Sequence, residues 1–367
     1  MSGLFPSGPL RSIELIRVCV PLVTPIESAH GIEHDRWSIL VRVVGVDGAE
    51  GWGECPALTA PTYTSEWHEG AWTVLLNHLA PAALAGRPAG IRGHPMAVSA
   101  IEGALIDLEL RRRGVSLAQA LGAERTSVPV CSVVGIATSV DDLLARVEEE
   151  GRQGYQAVKL KIRPGWDVEP LRAVRDAWPT LPLAADANGS FEASDALDRL
   201  DPLDDLGLLY LEQPLPADDL VGAARLVSAL DTVVALDEGA PTLGTVESAL
   251  ALGALGAVNL KPARLGGLVA CVDVHDRLVE HGVPMWCGGM LELGVGRAGA
   301  LAVAALRGCV LPTDLGPSSR YVDSDVVEPF ELGPDGTLAV PDGPGIGRVP
   351  DLDRLDEVSV ARRTIGG

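Results

Sequence analysis

Long apolar runs are missing from this chain. Gly, Pro and charged residues interrupt every hydrophobic segment before it reaches the roughly 18 residues a membrane span requires. Met1–Pro9 holds no basic segment followed by an apolar stretch, so no secretory signal is read there, and a cytoplasmic enzyme is the expectation. Positive charge is scarce as well: 29 Lys and Arg stand against 50 Asp and Glu, a formal net charge of −21. Nucleic acid, whose phosphates demand clustered Lys and Arg, is thereby set aside as a partner. An acidic surface keeps an abundant soluble protein dispersed. The six cysteines include no Cys-x-x-Cys pair and sit mostly inside apolar runs, which reads as buried reduced thiols and not as disulfides or a zinc site. The seven histidines lack metal-ligand spacing too. His275 and His281 lie six apart on a predicted helix, a spacing that does not share one face.

What is present is periodicity. A length of 367 residues, 47% of them hydrophobic, suffices for a large barrel plus a smaller unit. Residues 1–127 read as strands and then helices. Ser12–Val20, Trp37–Val46 and Gly51–Cys55 are the strands, with a turn at Asp47–Gly48, and Ser65–Leu84 and His94–Arg113 carry helical periodicity. That order predicts an α+β capping domain. From Val128 the pattern becomes strand then helix, repeatedly, beginning with Val128–Ile136, Asp141–Gly151 and Tyr155–Ile162. Pro170–Asp176 and Asp219–Leu230 are later helices; Val283–Cys287 and Cys309–Pro312 are the last strands. The alternation stops near Gly316. This predicts a barrel domain over 128–316 and a tail over 317–367 that returns to the cap, with short strand and turn signals in Asp325–Pro344.

Five residues recur through the barrel segment at nearly constant spacing. Lys161, Asp186, Glu212, Asp237 and Lys261 are separated by 25, 26, 25 and 24 residues on subtraction. Each closes a short apolar run: Ala157–Ile162, Leu181–Ala187, Leu206–Leu211, Val233–Leu236 and Ala257–Leu260. Strand–helix units of a (β/α) barrel run to roughly 30 residues, and the catalytic groups of such barrels stand at the carboxyl ends of the strands. Strict alternation in Val158–Ile162 puts Lys159 and Lys161 on one strand face. A half-exposed edge strand with solvated lysines would alternate too, but strands of a parallel barrel are covered on both faces. Inward lysines point into the barrel mouth, where desolvation and a neighbouring cation depress an ammonium pKa toward the operating pH.

Three carboxylates converging from adjacent strands repel unless positive charge sits among them. Mg2+, or Mn2+ in its place, suits hard oxygen ligands and would stabilise an oxyanion developing on a bound carboxylate. Three strands intervene between those of Lys161 and Lys261, so the second lysine should approach from the opposite side. Lysines on two faces of a metal-chelated carboxylate are what removal and return of its α-proton require. The barrier is met by preorganised stabilisation of the enediolate.

The phrases Lys-Leu-Lys (159–161), Asp-Ala-Asn (186–188), Glu-Gln-Pro (212–214), Asp-Glu (237–238) and Lys-Pro (261–262) resemble the enolase superfamily, muconate lactonizing subgroup. Lys159–Asp167 (KLKIRPGWD), Trp286–Glu292 (WCGGMLE), Gly296–Ala298 (GRA) and Trp52–Cys55 (WGEC) make the chain similar, more narrowly, to the o-succinylbenzoate synthase / N-succinylamino acid racemase family. The resemblance runs from about Ile13 to Phe330. It implies a modified (β/α)8 barrel of the enolase type, (β/α)7β, with an N-terminal α+β cap completed by the C-terminal tail. It implies Lys161 as general base with Lys159 lowering its pKa, and Asp186, Glu212 and Asp237 as Mg2+ ligands. Lys261 would be the opposite-face acid/base in racemisation, or a cation beside the intermediate in the synthase reaction. Asn188 and Glu238 would support the metal shell.

The resemblance further implies cap loops around Leu22–Gly31 and Ala57–Thr64 that cover the substrate, with Tyr63 either a pocket contact or an exposed loop residue. Arg264 either tunes Lys261 by charge repulsion or is a surface arginine at a strand-to-helix turn. Gly289, Met290, Leu291 and Leu293 are expected at the substrate-facing rim. The implied substrate is a small succinyl-bearing carboxylate, the implied settings menaquinone biosynthesis and amino acid metabolism, and the expected assembly a homo-oligomer.

Some positions depart from that family. Leu293 stands where a hydroxyl is usual, Gly239 where Ser is usual, and the last strand ends in Asp314-Leu315-Gly316-Pro317. These are placed near the rim, so specificity is open to drift. Dipeptide epimerase and muconate cycloisomerase are alternatives within the subgroup. An epimerase is expected to hold its substrate's ammonium with Asp-x-Asp on the last strand, and Asp314-Leu315-Gly316 lacks the second acid. A non-catalytic carboxylate-binding protein on a decayed barrel is a remote alternative, against which the intact five residues stand.

Overall fold

Alternating apolar residues near the amino terminus dictate strands whose two faces separate. Both faces are buried: Ile16, Val18, Val20 and Leu40 join the main core on the face opposite Ile13 and Leu15. In the computed structural model, which describes residues 4–6, 8–28 and 31–366 (the side chains of 26–28 and 31–33 excepted), strands β1 (Leu10–Ser28) and β2 (Gly31–Gly45) form a long antiparallel hairpin. Strand β3 (Glu50–Cys55) extends it. Ile13, Leu15, Ile39, Val41 and Val43 face helix α3 (Pro95–Arg113), which follows α1 (His68–Val74), a π-helical turn at Leu75–Leu79 and α2 (Ala80–Leu84). Gly53 lets β3 lie directly on α3, since a Cβ there would stand 2.0 Å from the Ala100 carbonyl oxygen. A short helix α4 (Leu117–Leu121) ends this region.

Two expectations change here. The helix expected from Ser65 begins at His68, because Glu66 turns its carboxylate toward α3 instead. Residues 22–28, read as part of a covering loop, continue β1 after an irregularity between Pro21 and Ile26, while the hairpin tip lies outside the described residues.

Continuous apolar runs then build a parallel sheet of seven strands. These are β5 (Cys131–Val134), β6 (Ala157–Lys161), β7 (Leu183–Asp186), β8 (Leu211–Glu212), β9 (Val234–Leu236), β10 (Ala257–Leu260) and β11 (Met285–Cys287), neighbours in that order. The helices between and after them are α5 (Val140–Arg152), α6 (Val168–Ala177), α7 (Ala196–Leu200), α8 (Leu220–Ala229), α9 (Leu243–Leu252), α10 (Pro262–Leu265), α11 (Leu268–Glu280) and α12 (Gly294–Ala304). The run Leu206–Leu211 yields a shorter strand than expected, because Leu206 ends a 3-10 turn and Gly207 takes a positive φ of 57°.

The expected strand Val128–Ile136 divides at Pro129, which has no N–H to give. Its first part, β4 (Ser127–Pro129), pairs antiparallel with β12 (Thr337–Ala339), and only β5 joins the barrel. Cys309–Pro312 likewise forms no ladder. Closure falls to Thr313, whose N–H donates to Pro129 O (2.9 Å), whose carbonyl accepts from Cys131 N (2.7 Å) and whose hydroxyl donates to Cys287 O. After helix α13 (Leu352–Val358), the final strand β13 (Ser359–Gly366) pairs antiparallel with β1, so the tail completes the cap sheet. All six cysteines are unpaired, and five are buried. No helix among the described residues is long and apolar enough to cross a membrane.

Buried and half-buried carboxylates tie these parts together at helix ends, where the first N–H groups lack intrahelical partners. None of α3, α11 and α12 has a side-chain cap of its own. Glu66 accepts from Met96 N (2.7 Å) and Ala97 N (3.0 Å) at α3; Glu102 of α3 accepts from Val269 N (3.0 Å) at α11. Glu54 of β3 accepts from Leu293 N (2.9 Å) and Gly296 N (2.8 Å) at α12. Burial pushes the Glu54 and Glu66 carboxyls up to about 7, against the pull of those donors. A carboxyl raised on folding contributes stability that is complete below its ordinary value of 4.5 and is lost as pH rises through about 7. Urea unfolding of the parent and Glu66→Gln at about pH 5 and about pH 8 checks this. The parent should lose about 1–3 kcal/mol more than the variant over that interval, and equal losses would contradict the assignment.

Candidate active site

Strand register sets the ladder. Lys161, Asp186 and Glu212 close β6, β7 and β8 and are paired across them, while Asp237 and Lys261 directly follow β9 and β10. Each carboxylate faces a lysine. Lys161 Nζ donates to Asp186 Oδ2 (2.6 Å) and Asn188 Oδ1 (2.7 Å). Lys159 Nζ donates to Glu212 Oε2 (2.6 Å) and Asp314 Oδ2 (2.5 Å), and stands 3.6 Å from Asp186 Oδ2. Lys261 Nζ donates to Asp237 Oδ2 (2.7 Å) and lies 3.3 Å from Tyr63 OH. All three ladder carboxylates are buried, Glu212 completely.

Burial acts to lower Lys159 and Lys261, but the acids outweigh it. Asp314 and then Glu212 hold Lys159 well above its ordinary value, and Asp237 foremost does so for Lys261. The depression expected in the barrel mouth is therefore absent from Lys159, whose nearest charges are carboxylates. Burial, then the charge of Asp186, push Glu212 up. Burial works the same way on Asp186, but Lys161 and Lys159 override it and hold that carboxyl below its usual range.

Among the described residues no three His, Cys, Asp or Glu side chains stand grouped as a metal ion needs. The ladder carboxylates are turned toward the lysines instead. The donor set still fits a hard divalent cation: it is all oxygen, comes from three adjacent strand ends, and includes a Glu212 that is unfavourable as an anion beside Asp186.

Neighbouring side chains hold the ladder. Asn188 (φ 44°) gives its N–H to Asp186 Oδ1 (3.0 Å) and its amide to Glu238 Oε1 (3.1 Å). Tyr63 comes from the cap loop to the site itself, where its hydroxyl donates to Asp237 Oδ1 (3.0 Å) and its ring lies under Lys261 at 4.9 Å. Arg264 is not at the surface. Only 2% exposed, it donates to Ala240 O and to Asn259 O (2.7 Å) and lies 3.3 Å from Asp237 Oδ1, so its charge acts on the partner of Lys261.

Of the expected rim residues, Gly289 and Leu291 are half-buried. Met290 packs into the cap core beside Ala263, and Leu293 is buried in the main core at the start of α12. Gly239 lies against the loop after β8, where a Cβ would meet the Gln213 amide at 3.2 Å and Ala217 O at 3.3 Å. Three polar contacts were not foreseen: Asp314 on Lys159, Asn259 Nδ2 donating to Glu212 Oε1 (2.7 Å), and Gln213 Oε1 accepting from Asp237 N (3.0 Å) and Gly239 N (2.9 Å). A polar residue inside the apolar strand Ala257–Leu260 was the available signal for Asn259. Beneath them Tyr210 and Trp286 stack at 4.2 Å across the barrel interior.

Comparison with known proteins agrees with this architecture. Residues 142–354 match the family model described as enolase C-terminal domain-like, and residues 12–122 match the mandelate racemase / muconate lactonizing enzyme N-terminal domain. An N-succinylamino acid racemase from an Amycolatopsis species is 43% identical over 97% of this chain and 99% of its own. An o-succinylbenzoate synthase from Geobacillus kaustophilus is also 43% identical, over 91% of each chain. A crystal structure of an enolase superfamily member from Listeria innocua superposes with a TM-score of 0.93 at 34% identity, covering 97% of this chain and 99% of that one. The chain belongs to the enolase superfamily, in its o-succinylbenzoate synthase / N-succinylamino acid racemase family.

Proposed function

We propose that this enzyme removes the proton α to the carboxylate of a succinyl-bearing substrate to give an enediolate, acting as an o-succinylbenzoate synthase, an N-succinylamino acid racemase, or both. The observation that carries the reading is the paired ladder, with lysines at β6 and after β10 on either side of three buried carboxylates. Asp186, Glu212 and Asp237 would hold Mg2+. When bound, the ion would supply the positive charge that stabilises the substrate carboxylate as the enediolate forms.

The chain's own groups divide the remaining work. Lys161 Nζ, oriented by Asp186 and Asn188, takes the α-proton. Lys159, held as an ammonium between Glu212 and Asp314, is a fixed positive charge beside it. In racemisation Lys261 gives a proton to the opposite face. In the synthase reaction the ammonium formed on Lys161 returns its proton to the β-hydroxyl, whose C–O bond breaks so that it leaves as water, while Lys261 stands as a cation. Tyr63 and Asp237 orient Lys261 for either task. The reading also takes 1–127 as the cap, 128–316 as the catalytic barrel and 317–367 as the returning tail. A dipeptide epimerase is disfavoured because Asp314 is engaged by Lys159 and by Gly289 N (3.0 Å), and Gly316 stands where a second acid is needed.

Two lysine variants test the two-sided assignment through deuterium incorporation at Cα of N-succinyl amino acids in D2O. Lys161→Ala and Lys261→Ala should each slow racemisation by about 10²–10⁴-fold, while each keeps exchange with the one enantiomer that faces its remaining lysine. Loss of exchange with both enantiomers in both variants would argue against one lysine per face.

A further inference from the structure

Helix α12 is built without a cap of its own, Leu293 having no side-chain group to offer. Its first turn meets two carboxylates from outside the barrel. Glu54 of cap strand β3 takes Leu293 N and Gly296 N, and Ser38 Oγ of β2 donates to Glu54 Oε1 at 2.8 Å. Asp325 of the tail takes Gly294 N at 2.9 Å and is held by Ser318 Oγ at 2.6 Å. Both acids are 5% exposed. Glycine makes the room: a Cβ on Gly296 would lie 3.1 Å from Glu54 Oε2, and one on Gly294 only 2.1 Å from Val327 Cγ2.

Both walls of the site depart from this junction. Directly before α12 runs the rim loop 288–292, in which Met290 N donates to Glu292 Oε2 (2.8 Å) and Gly289 N donates to Asp314, the acid that also holds Lys159. One residue after Glu54 the chain enters the loop 56–64, which carries Tyr63 to Asp237 and Lys261. Glu54 therefore touches the root of both loops, whereas Asp325 touches the barrel loop alone.

We infer that Glu54 is a positioning residue that sets the register of cap loop 56–64 against barrel loop 288–292, and with it the space in which substrate is held. It acts on binding and not on proton transfer. The inference rests on the proposed function only for the identity of that substrate.

Hydrogen–deuterium exchange of the full chain, with kcat and KM for both succinyl substrates, tests it on Glu54→Gln and Asp325→Asn. In Glu54→Gln, exchange should rise about tenfold or more in both 56–64 and 288–296, the scale of one lost charge-assisted hydrogen bond. KM should rise by a similar factor with kcat within about threefold. Asp325→Asn should loosen 288–296 while leaving 56–64, and KM, within about threefold of the parent. Unchanged exchange over 56–64 in Glu54→Gln, or the same pattern in both variants, would overturn the inference. Should Glu54→Gln fail to fold, Ser38→Ala, which removes one donor to Glu54, carries the test: loosening of 56–64 supports the assignment and unaltered exchange refutes it. A parent without activity on either substrate would sink the proposed function, while the exchange pattern would still decide the role of Glu54.

Discussion

Three carboxylates buried at neighbouring strand ends cannot stand without positive charge among them, and the molecule is arranged around that constraint. An isolated buried carboxylate is unfavourable by several kcal/mol even after the protein relaxes. Lys161, Lys159 and Lys261 supply the counter-charge, each in direct contact with a different acid. The barrel makes this feasible because successive parallel strands deliver one polar side chain each to the same rim. The same pairing brings three carboxylates and three lysines to one rim, with each carboxylate turned toward its own lysine and not toward the other acids.

Carboxylates also hold the larger parts together. Glu102 links cap helix α3 to barrel helix α11, Glu54 links cap strand β3 to α12, and Asp325 brings the tail to that same helix. A charge-assisted hydrogen bond to a helix end combines a strong interaction with the favourable end of the helix dipole. Such contacts are directional, so they fix register as well as association. The cap loop bearing Tyr63 is thereby placed over the barrel by bonds, and not by apolar contact alone.

The ladder was legible because strand-terminal position and spacing are local properties, readable as a period in one dimension. Cap strands and α3 were legible for the same reason, from alternation and helical stripe. What escaped depends on distant chain segments. Lys159 meets Asp314, 155 residues away; Glu54 caps a helix 239 residues on, and Glu102 one 167 residues on. No local pattern announces such partners. Met290 and Leu293 sit in a phrase that reads as rim, yet the turn at Leu291 (φ 58°) and the start of α12 carry their side chains into the cores. Cys309–Pro312 reads as a strand by hydrophobicity, and the missing N–H of Pro312 leaves closure to Thr313.

Calorimetric titration with Mg2+ tests most directly the proposal that Asp186, Glu212 and Asp237 hold one divalent cation. The parent chain should bind one Mg2+, and Glu212→Gln should bind it at least about tenfold more weakly. Absence of binding in the parent, or undiminished affinity in Glu212→Gln, would contradict the account.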